Sequence, residues 1–222
     1  MMKKKTVLSW SSGKDSAWAL HLLRQSPDTE VVGLLTTINE LHKRVAMHDV
    51  RITLLEEQAN SVGLPLHLIN IPTPCSNEQY EAAMNQAVVE IKRQGVEQIA
   101  FGDLFLEDIR AYREARLAGT ALTPIFPLWG KPTAELAPEM IGSGLRAIIT
   151  CVDPSQLSGE FAGREYEASF LADLPEGVDP CGERGEFHTF TYDGPMFQEA
   201  LSVRVGEVAE RNGFVFADVV NI

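Results

Sequence analysis

The stretch Thr6-Val7-Leu8-Ser9-Trp10-Ser11-Ser12-Gly13-Lys14-Asp15-Ser16 constrains the chain more than any other. Its first half is a short β-type run with little polarity, the pattern of a strand covered on both faces. From Lys14 onward the apolar residues fall at Ala17, Leu20 and Leu23, which is helical spacing. Between the two lies a turn of small residues. Small residues let backbone approach a ligand closely, and the helix that follows points its first N–H groups at an anion. The loop serines add donors and Lys14 adds a point charge. A Walker A loop is excluded because that pattern needs glycine where the chain has Leu8, and the stretch is not G-x-G-x-x-G either.

Beyond this unit the spacing predicts strands at 31–38, 66–69 and 96–101, alternating with helices at 51–62, 77–94 and 104–117. Gly63, with Pro65 beyond it, and Gly95 close two of those helices. A short fifth strand is expected at 123–126 and a sixth at 145–152. Such alternation implies right-handed βαβ crossovers and a mostly parallel, doubly wound α/β sheet. After Asp153-Pro154 the texture changes to glycine, proline and short aromatic runs. Residues 187–192 alternate as a strand before an Asp193-Gly194 turn, with further strands at 201–205 and 214–217. The expected organisation is one domain over 1–152 and a smaller C-terminal α+β lobe over 153–222.

Charge and cysteine count remove whole classes of function. Nineteen basic against 31 acidic residues give a net charge of −12, which disfavours general binding to nucleic acid, because neutralising phosphates requires excess Lys and Arg. The apolar run at 6–10 is too short for a signal peptide or a membrane span, so a cytoplasmic protein without a membrane partner is expected. Cys75, Cys151 and Cys181 form neither a disulfide framework nor a C-x-x-C pair. A homodimer is compatible with this composition and not dictated by it.

The loop at 11–16 resembles the pyrophosphate loop S-G-G-x-D-S of the N-type ATP pyrophosphatases, with Ser12 in place of the first glycine. Nearly the whole chain is similar to one family of that superfamily, the diphthine–ammonia ligases. The resemblance is carried by Ala46-Met47-His48, by Phe101-Gly102-Asp103, and by Leu106-Glu107-Asp108-x-Arg110-x-Tyr112-Arg113-Glu114. It continues in Pro127-Leu128-Trp129 and in Cys181-Gly182-Glu183-x-Gly185-Glu186-Phe187-His188-Thr189. The last resembles the signature E-G-G-E-(Y/F)-x-(T/S), with Arg184 replacing a small residue.

The resemblance implies an adenine nucleotide alpha hydrolase-like (HUP-type) fold and a ligase that uses ATP and Mg²⁺. Such a ligase adenylates a carboxylate, releases pyrophosphate and lets ammonia displace AMP. In archaea and eukaryotes the carboxylate is diphthine, the modified histidine of the translocation elongation factor; bacterial relatives lack that target. With no glutaminase segment in the sequence, the ammonia is expected to be free or supplied by a partner. By the same resemblance Ser9, Ser11, Ser12, Gly13, Lys14, Asp15, Ser16, Thr36, Met47, His48 and Gly102 would hold the nucleotide, and Asp15 and Asp103 the metal. Lys14, Asp103, Glu183, Glu186 and His188 would be catalytic, and Arg110, Arg113 and Thr189 would bind the acceptor.

Each assignment has a plainer alternative. Asp103, just past a strand at the carboxyl edge of the sheet, suits a metal or substrate contact but also the cap of a helix beginning at Leu104. Arg110 and Arg113 share a helix face that can clamp a substrate carboxylate or a phosphate, or merely pair with Glu107 and Glu114. If 186–192 is a strand, Glu186 and His188 converge on one face with Glu183 in the turn before, a grouping suited to holding or deprotonating ammonium, or else an ordinary surface pair. Truncating Lys14 is expected to weaken turnover and leave the fold intact. Three rival functions use the same loop: a tRNA-modifying ATP pyrophosphatase, against which the absent cysteine pair and the acidic composition argue; a carboxylate ligase of the same chemistry whose acceptor is a small molecule or another protein; and a non-catalytic ATP or AMP sensor.

Overall fold

The computed structural model describes residues 2–39, 44–45, 50–72 and 74–222. The first strand of the sequence, β1 (Lys4–Ser9), sits in the middle of its sheet, and Val7 and Leu8 are fully buried. On one side it pairs in parallel with β2 (Thr29–Asn39), which pairs in turn with β4 (Leu66–Ile71). On the other it pairs with β5 (Gln98–Ala100), and β5 with β6 (Thr123–Ile125). The two-residue β3 (Arg44–Val45) lies antiparallel to the end of β2. Helices α1 (Lys14–Gln25), α2 (Ile52–Val62), α3 (Asn77–Arg93) and α4 (Glu107–Leu117) make the crossovers.

The local signals explain these elements. Ser76 and Gln79 form a reciprocal capping box that starts α3. Gly63, at φ 68° where a Cβ would be strained, closes α2. The parallel order β4-β2-β1-β5-β6 means the chain first winds away from β1 in one direction and then in the other. At the reversal, between β1 and β5, the carboxyl ends of the strands open a crevice. The fold thereby sets the 10–16 loop beside the 101–103 turn.

The second sheet is antiparallel, in the order β8-β7-β10-β9, with β7 (Arg146–Val152), β8 (Phe187–Asp193), β9 (Val203–Arg211) and β10 (Phe214–Asn221). The segment expected as a sixth strand of the parallel sheet is therefore β7, hydrogen-bonded to β8 and β10. Its run Arg-Ala-Ile-Ile-Thr-Cys-Val is buried after the first residue, and a strand covered on both faces reads alike in either kind of sheet. The change of sheet falls between β6 and β7, across α5 (Thr133–Gly142), rather than at 152/153. Pro138 inside α5 hid that helix from the sequence pattern. A short α6 (Ala168–Asp173) packs on the second sheet.

One apolar core joins the two sheets, with Trp10, Trp18, Leu54 and Leu55 against Ile148, Tyr166, Phe170, Phe187 and Phe190. Fully burying one such side chain stabilises by about 1.5–3 kcal/mol, so the sheets are held together by far more than the polar contacts described below. A smaller cluster of Val7, Val88, Ile91, Ile99 and Leu117 seats α3 and α4.

Candidate active site

The turn after β1 has Ser12 at φ 71°, the left-handed region that favours glycine. This is the physical reason a glycine stands there in S-G-G-x-D-S, and it makes the serine a strained replacement. The Ser12 side chain is fully buried and its hydroxyl has no hydrogen-bond partner among the described residues. Its carbonyl accepts the Thr191 N–H at 2.9 Å and the Gln58 amide at 3.0 Å. Ser16 Oγ donates to Gly13 O at 2.9 Å and lies 3.1 Å from Ser11 Oγ, closing the turn. At the first turn of α1, the Lys14 N–H donates to Thr189 Oγ1 at 3.0 Å, so β8 docks directly on the loop. Gly102, after β5, approaches the next residues so closely that a Cβ there would meet the Asp15 carbonyl carbon and the Ser16 nitrogen at 3.1 Å.

Lys14 does not extend into solvent. Only 2% of its side chain is exposed, and Nζ donates to Asp15 Oδ2 at 2.8 Å, to Asp15 Oδ1 at 3.1 Å and to the carbonyl of Cys181. The rings of Tyr166 and Phe187 lie 5.6 and 5.4 Å from it. Burial acts most strongly on Lys14 and opposes its charge, but Asp15, Cys181 and Glu183 together outweigh it, and the pKa is raised. Lys14 is therefore a charged bolt between the loop and the turn that carries the 181–189 signature.

Asp103 lies 3.5 Å from Arg113 Nε as an ion pair. Its Oδ2 is buried without a hydrogen-bond partner among the described residues, and burial raises its carboxyl pKa against the pull of Arg113. The helix-cap alternative does not hold, since α4 starts at Glu107 with Leu106 at the cap. Arg113 lines the cavity with its guanidinium 4.8 Å from the Phe101 ring. Arg110 does not. It pairs with Glu114 at 2.8 Å and stacks on Phe126 and Trp129 at 5.0 and 4.7 Å, facing away from the crevice.

The signature turn separates the three residues grouped by strand alternation. Glu186 precedes β8, is buried, and accepts the N–H groups of Asp179 and Arg184, each at 2.9 Å. It shapes the turn and is not among the residues that line the cavity. Opposite the step from His188 to Thr189, β7 carries the extra residue Thr150 as a bulge, and both His188 and Thr189 line the cavity wall. Glu183 reaches across to accept the Leu104 N–H at 2.7 Å. Burial pushes its carboxyl up to about 7, with Asp15 and Asp103 adding to the shift and Leu104 and Lys14 opposing it. Burial and then Lys14 lower His188 to about 4, so its imidazole is neutral at pH 7. Burial also pushes the Cys181 thiol up to about 12, which leaves it unreactive.

These groups enclose a cavity of about 620 Å³ at the switch point. Ser9, Ser11, Lys14, Asp15, Ser16, Thr36, Gly102, Asp103, Arg113, Glu183, His188 and Thr189 line it, whereas Ser12, Gly13, Arg110 and Glu186 do not. Met47 and His48 lie outside the described residues. An apolar arm with Ile69, Ile71, Met84 and Val88 runs between α3 and the sheet and was not anticipated, nor were Tyr166 and Gln58. The one signal for Gln58 was an amide on the same helical face as Leu54, Leu55 and Val62. Among the described residues no group of three or more His, Cys, Asp and Glu side chains is placed to hold a metal by itself. None of their helices is long and apolar enough to cross a membrane.

Residues 3–117 match the family model for the diphthamide synthase N-terminal domain and residues 132–219 that for the diphthamide synthase C-terminal domain. The interval between the two contains β6 and precedes α5, where the chain passes from one sheet to the other. A Bos taurus protein named diphthine–ammonia ligase is 30% identical over 237 residues, covering 94% of this chain and 86% of that protein. The Homo sapiens protein of that name is 29% identical over 164 residues, 71% of this chain and 61% of its own. The Danio rerio protein of that name is 30% identical over 179 residues, with 72% and 69% covered.

Proposed function

Because this chain belongs to the diphthamide synthase family, we propose that it is an ATP-dependent ligase that converts an acceptor carboxylate to an amide with ammonia. The observation that carries this reading is the single cavity shared by the pyrophosphate-type loop and by Glu183 and His188 of the other sheet. In the first half-reaction the acceptor carboxylate attacks the α-phosphorus of ATP, the bond to the β-phosphate oxygen breaks, and pyrophosphate leaves. The first-turn amides of α1 are suited to that departing charge. In the second, ammonia attacks the acyl carbon and the bond to AMP breaks.

A base must remove a proton from the attacking nitrogen. A catalytic pKa near the working pH serves best, and Glu183 at about 7 meets that condition, whereas His188 at about 4 is a weak base. Glu186 is committed to two backbone N–H groups and is a positioning residue. Arg113 is suited to the acceptor carboxylate or to a phosphate. Mg²⁺ typically binds one or two protein carboxylates together with substrate phosphates. Asp103, whose Oδ2 has the Arg113 ion pair but no hydrogen bond among the described residues, fits that role, and Asp15 on the same cavity wall is already bonded to Lys14. When bound, the ion would neutralise phosphate charge. The apolar arm would bury the uncharged parts of the ligands.

We take the acceptor to be diphthine on a translation elongation factor, following the names of the relatives. The test supplies ATP, Mg²⁺ and ammonium with an elongation factor that does or does not carry diphthine, and measures AMP, pyrophosphate and the mass of the factor. AMP formation that depends on diphthine, with conversion of carboxylate to amide, is expected. Thermal unfolding with ATP at about 100 times its dissociation constant should show about 2.7 kcal/mol of stabilisation, a rise on the order of 5–10 °C, and GTP should not reproduce it. A rise with ATP but no AMP from either factor would overturn the ligase in favour of a nucleotide sensor.

A further inference from the structure

Gln58 sits on the buried face of α2 with Leu54, Leu55, Ala59 and Val62, and its side chain is completely enclosed. A primary amide in such a place is destabilising unless its hydrogen-bonding capacity is met. Here the partners dictate its orientation. The Trp10 indole N–H can only donate, so Gln58 Oε1 must face it, at 2.8 Å. The carbonyls of Ser12 and Thr191 can only accept, so Nε2 must face both, at 3.0 and 2.5 Å. One acceptor and two donors are required at that reach. Ionised Glu has no donor, Met has neither donor nor strong acceptor, and Asn is a methylene short.

The three partners are not arbitrary points in the core. Trp10 is the residue at which β1 enters the turn, and Ser12 is the residue held at φ 71°. Thr191 is the β8 residue whose own N–H bonds the same Ser12 carbonyl, two positions from the Thr189 hydroxyl that takes the Lys14 N–H. We infer that Gln58 is a positioning residue of the phosphate loop. From inside the core it brackets Trp10, Ser12 and Thr191, holding the left-handed Ser12 backbone and the β8 seat that together aim the first turn of α1 into the cavity. Glycine at position 12 would adopt that backbone without steric cost. Serine needs an external clamp, and Gln58 is the clamp.

This inference rests on the nucleotide reading of the loop, so the test carries one readout that does not. Gln58→Met is compared with wild type, each with and without Ser12→Gly. ATP affinity is measured by titration, and amide exchange across 12–16 is measured in the nucleotide-free protein. Gln58→Met should weaken ATP binding about tenfold and speed exchange across the loop by a similar factor. Ser12→Gly in that background should recover most of both losses. A Gln58 that only fills the core would lower the unfolding temperature and leave affinity and loop exchange within twofold of wild type, which overturns the proposal. So would losses in the double variant as large as in Gln58→Met alone, or failure of both variants to fold. If wild type binds no ATP, the nucleotide reading falls and the exchange comparison still decides the role of Gln58.

Discussion

Replacing Lys14 by methionine separates a structural bolt from a simple phosphate contact. The substitution keeps an unbranched side chain, one atom shorter, between the Tyr166 and Phe187 rings but leaves the Asp15 carboxylate and the Cys181 carbonyl without their ammonium. Removing one partner of a buried ion pair costs about 3–5 kcal/mol. Asp15 retains 27% of its side-chain exposure, so water takes up part of the unpaired charge and about 2–4 kcal/mol remains. For a chain of this size that loss lowers the unfolding temperature by roughly 5–15 °C. The sequence alone pointed to an intact fold on truncating Lys14, because a lysine in a small-residue loop reads as exposed. The assay is nucleotide-free thermal unfolding of wild type, Lys14→Met, Asp15→Asn and the double variant at neutral pH. Since exchanging a whole buried pair for neutral groups costs little, the double variant should regain most of the loss. An unfolding temperature for Lys14→Met within about 2 °C of wild type, or single losses that simply add in the double variant, would refute the bolt.

Two further outcomes follow from the cavity wall. The Glu183 carboxyl binds its proton more tightly folded, near 7, than its ordinary value of 4.5, so its contribution favours the folded state below about 4.5 and is lost as pH rises to about 7. Glu183→Gln should therefore flatten that fall in stability, and it should also abolish the limb of kcat/KM that rises with an apparent pKa near 7; an unchanged limb would take the base role from Glu183. Gly102→Ala should weaken ATP binding about tenfold with little change in unfolding temperature, because the added Cβ presses at 3.1 Å on the backbone of Asp15 and Ser16; affinity within twofold of wild type in a nucleotide titration would count against those amides as the anion site.

The parallel half of the fold was legible because βαβ units leave local periodicity, glycine stops and a capping box in the sequence. The loop was legible because small residues between a strand and a helix have few other uses. What escaped depended on partners distant in sequence. A covered strand such as β7 does not announce its sheet, and Pro138 obscured α5. Arg110 looked like the twin of Arg113 until Phe126 and Trp129, from another segment, took its guanidinium. Glu186 and His188 were paired by a strict two-residue repeat, but Glu186 lies ahead of β8, where the Asp179 and Arg184 N–H groups of the turn hold it. Lys14 was recognised as a residue type, but its direction is set by Cys181, Tyr166 and Phe187, far along the chain.

The charge arrangement suggests how the two half-reactions stay in order. Burial, with the carboxylates of Asp15 and Asp103, outweighs the hydrogen bond from Leu104 and the charge of Lys14, and the Glu183 carboxyl stands near 7. Bringing a triphosphate into the same cavity adds negative charge, which raises a carboxyl pKa further. Glu183 would then be neutral while ATP is intact and would not repel the phosphates. In the proposed reaction, departure of pyrophosphate would remove most of that charge, the pKa would fall back, and the carboxylate would be available as a base when ammonia attacks. The expected signature is net proton uptake when a non-hydrolysable ATP analogue binds near pH 7, measured by calorimetry in buffers of different ionisation enthalpy and absent in Glu183→Gln. Equal proton uptake in wild type and Glu183→Gln would place the titrating group elsewhere, most simply on the nucleotide itself, and would remove the ordering argument with it.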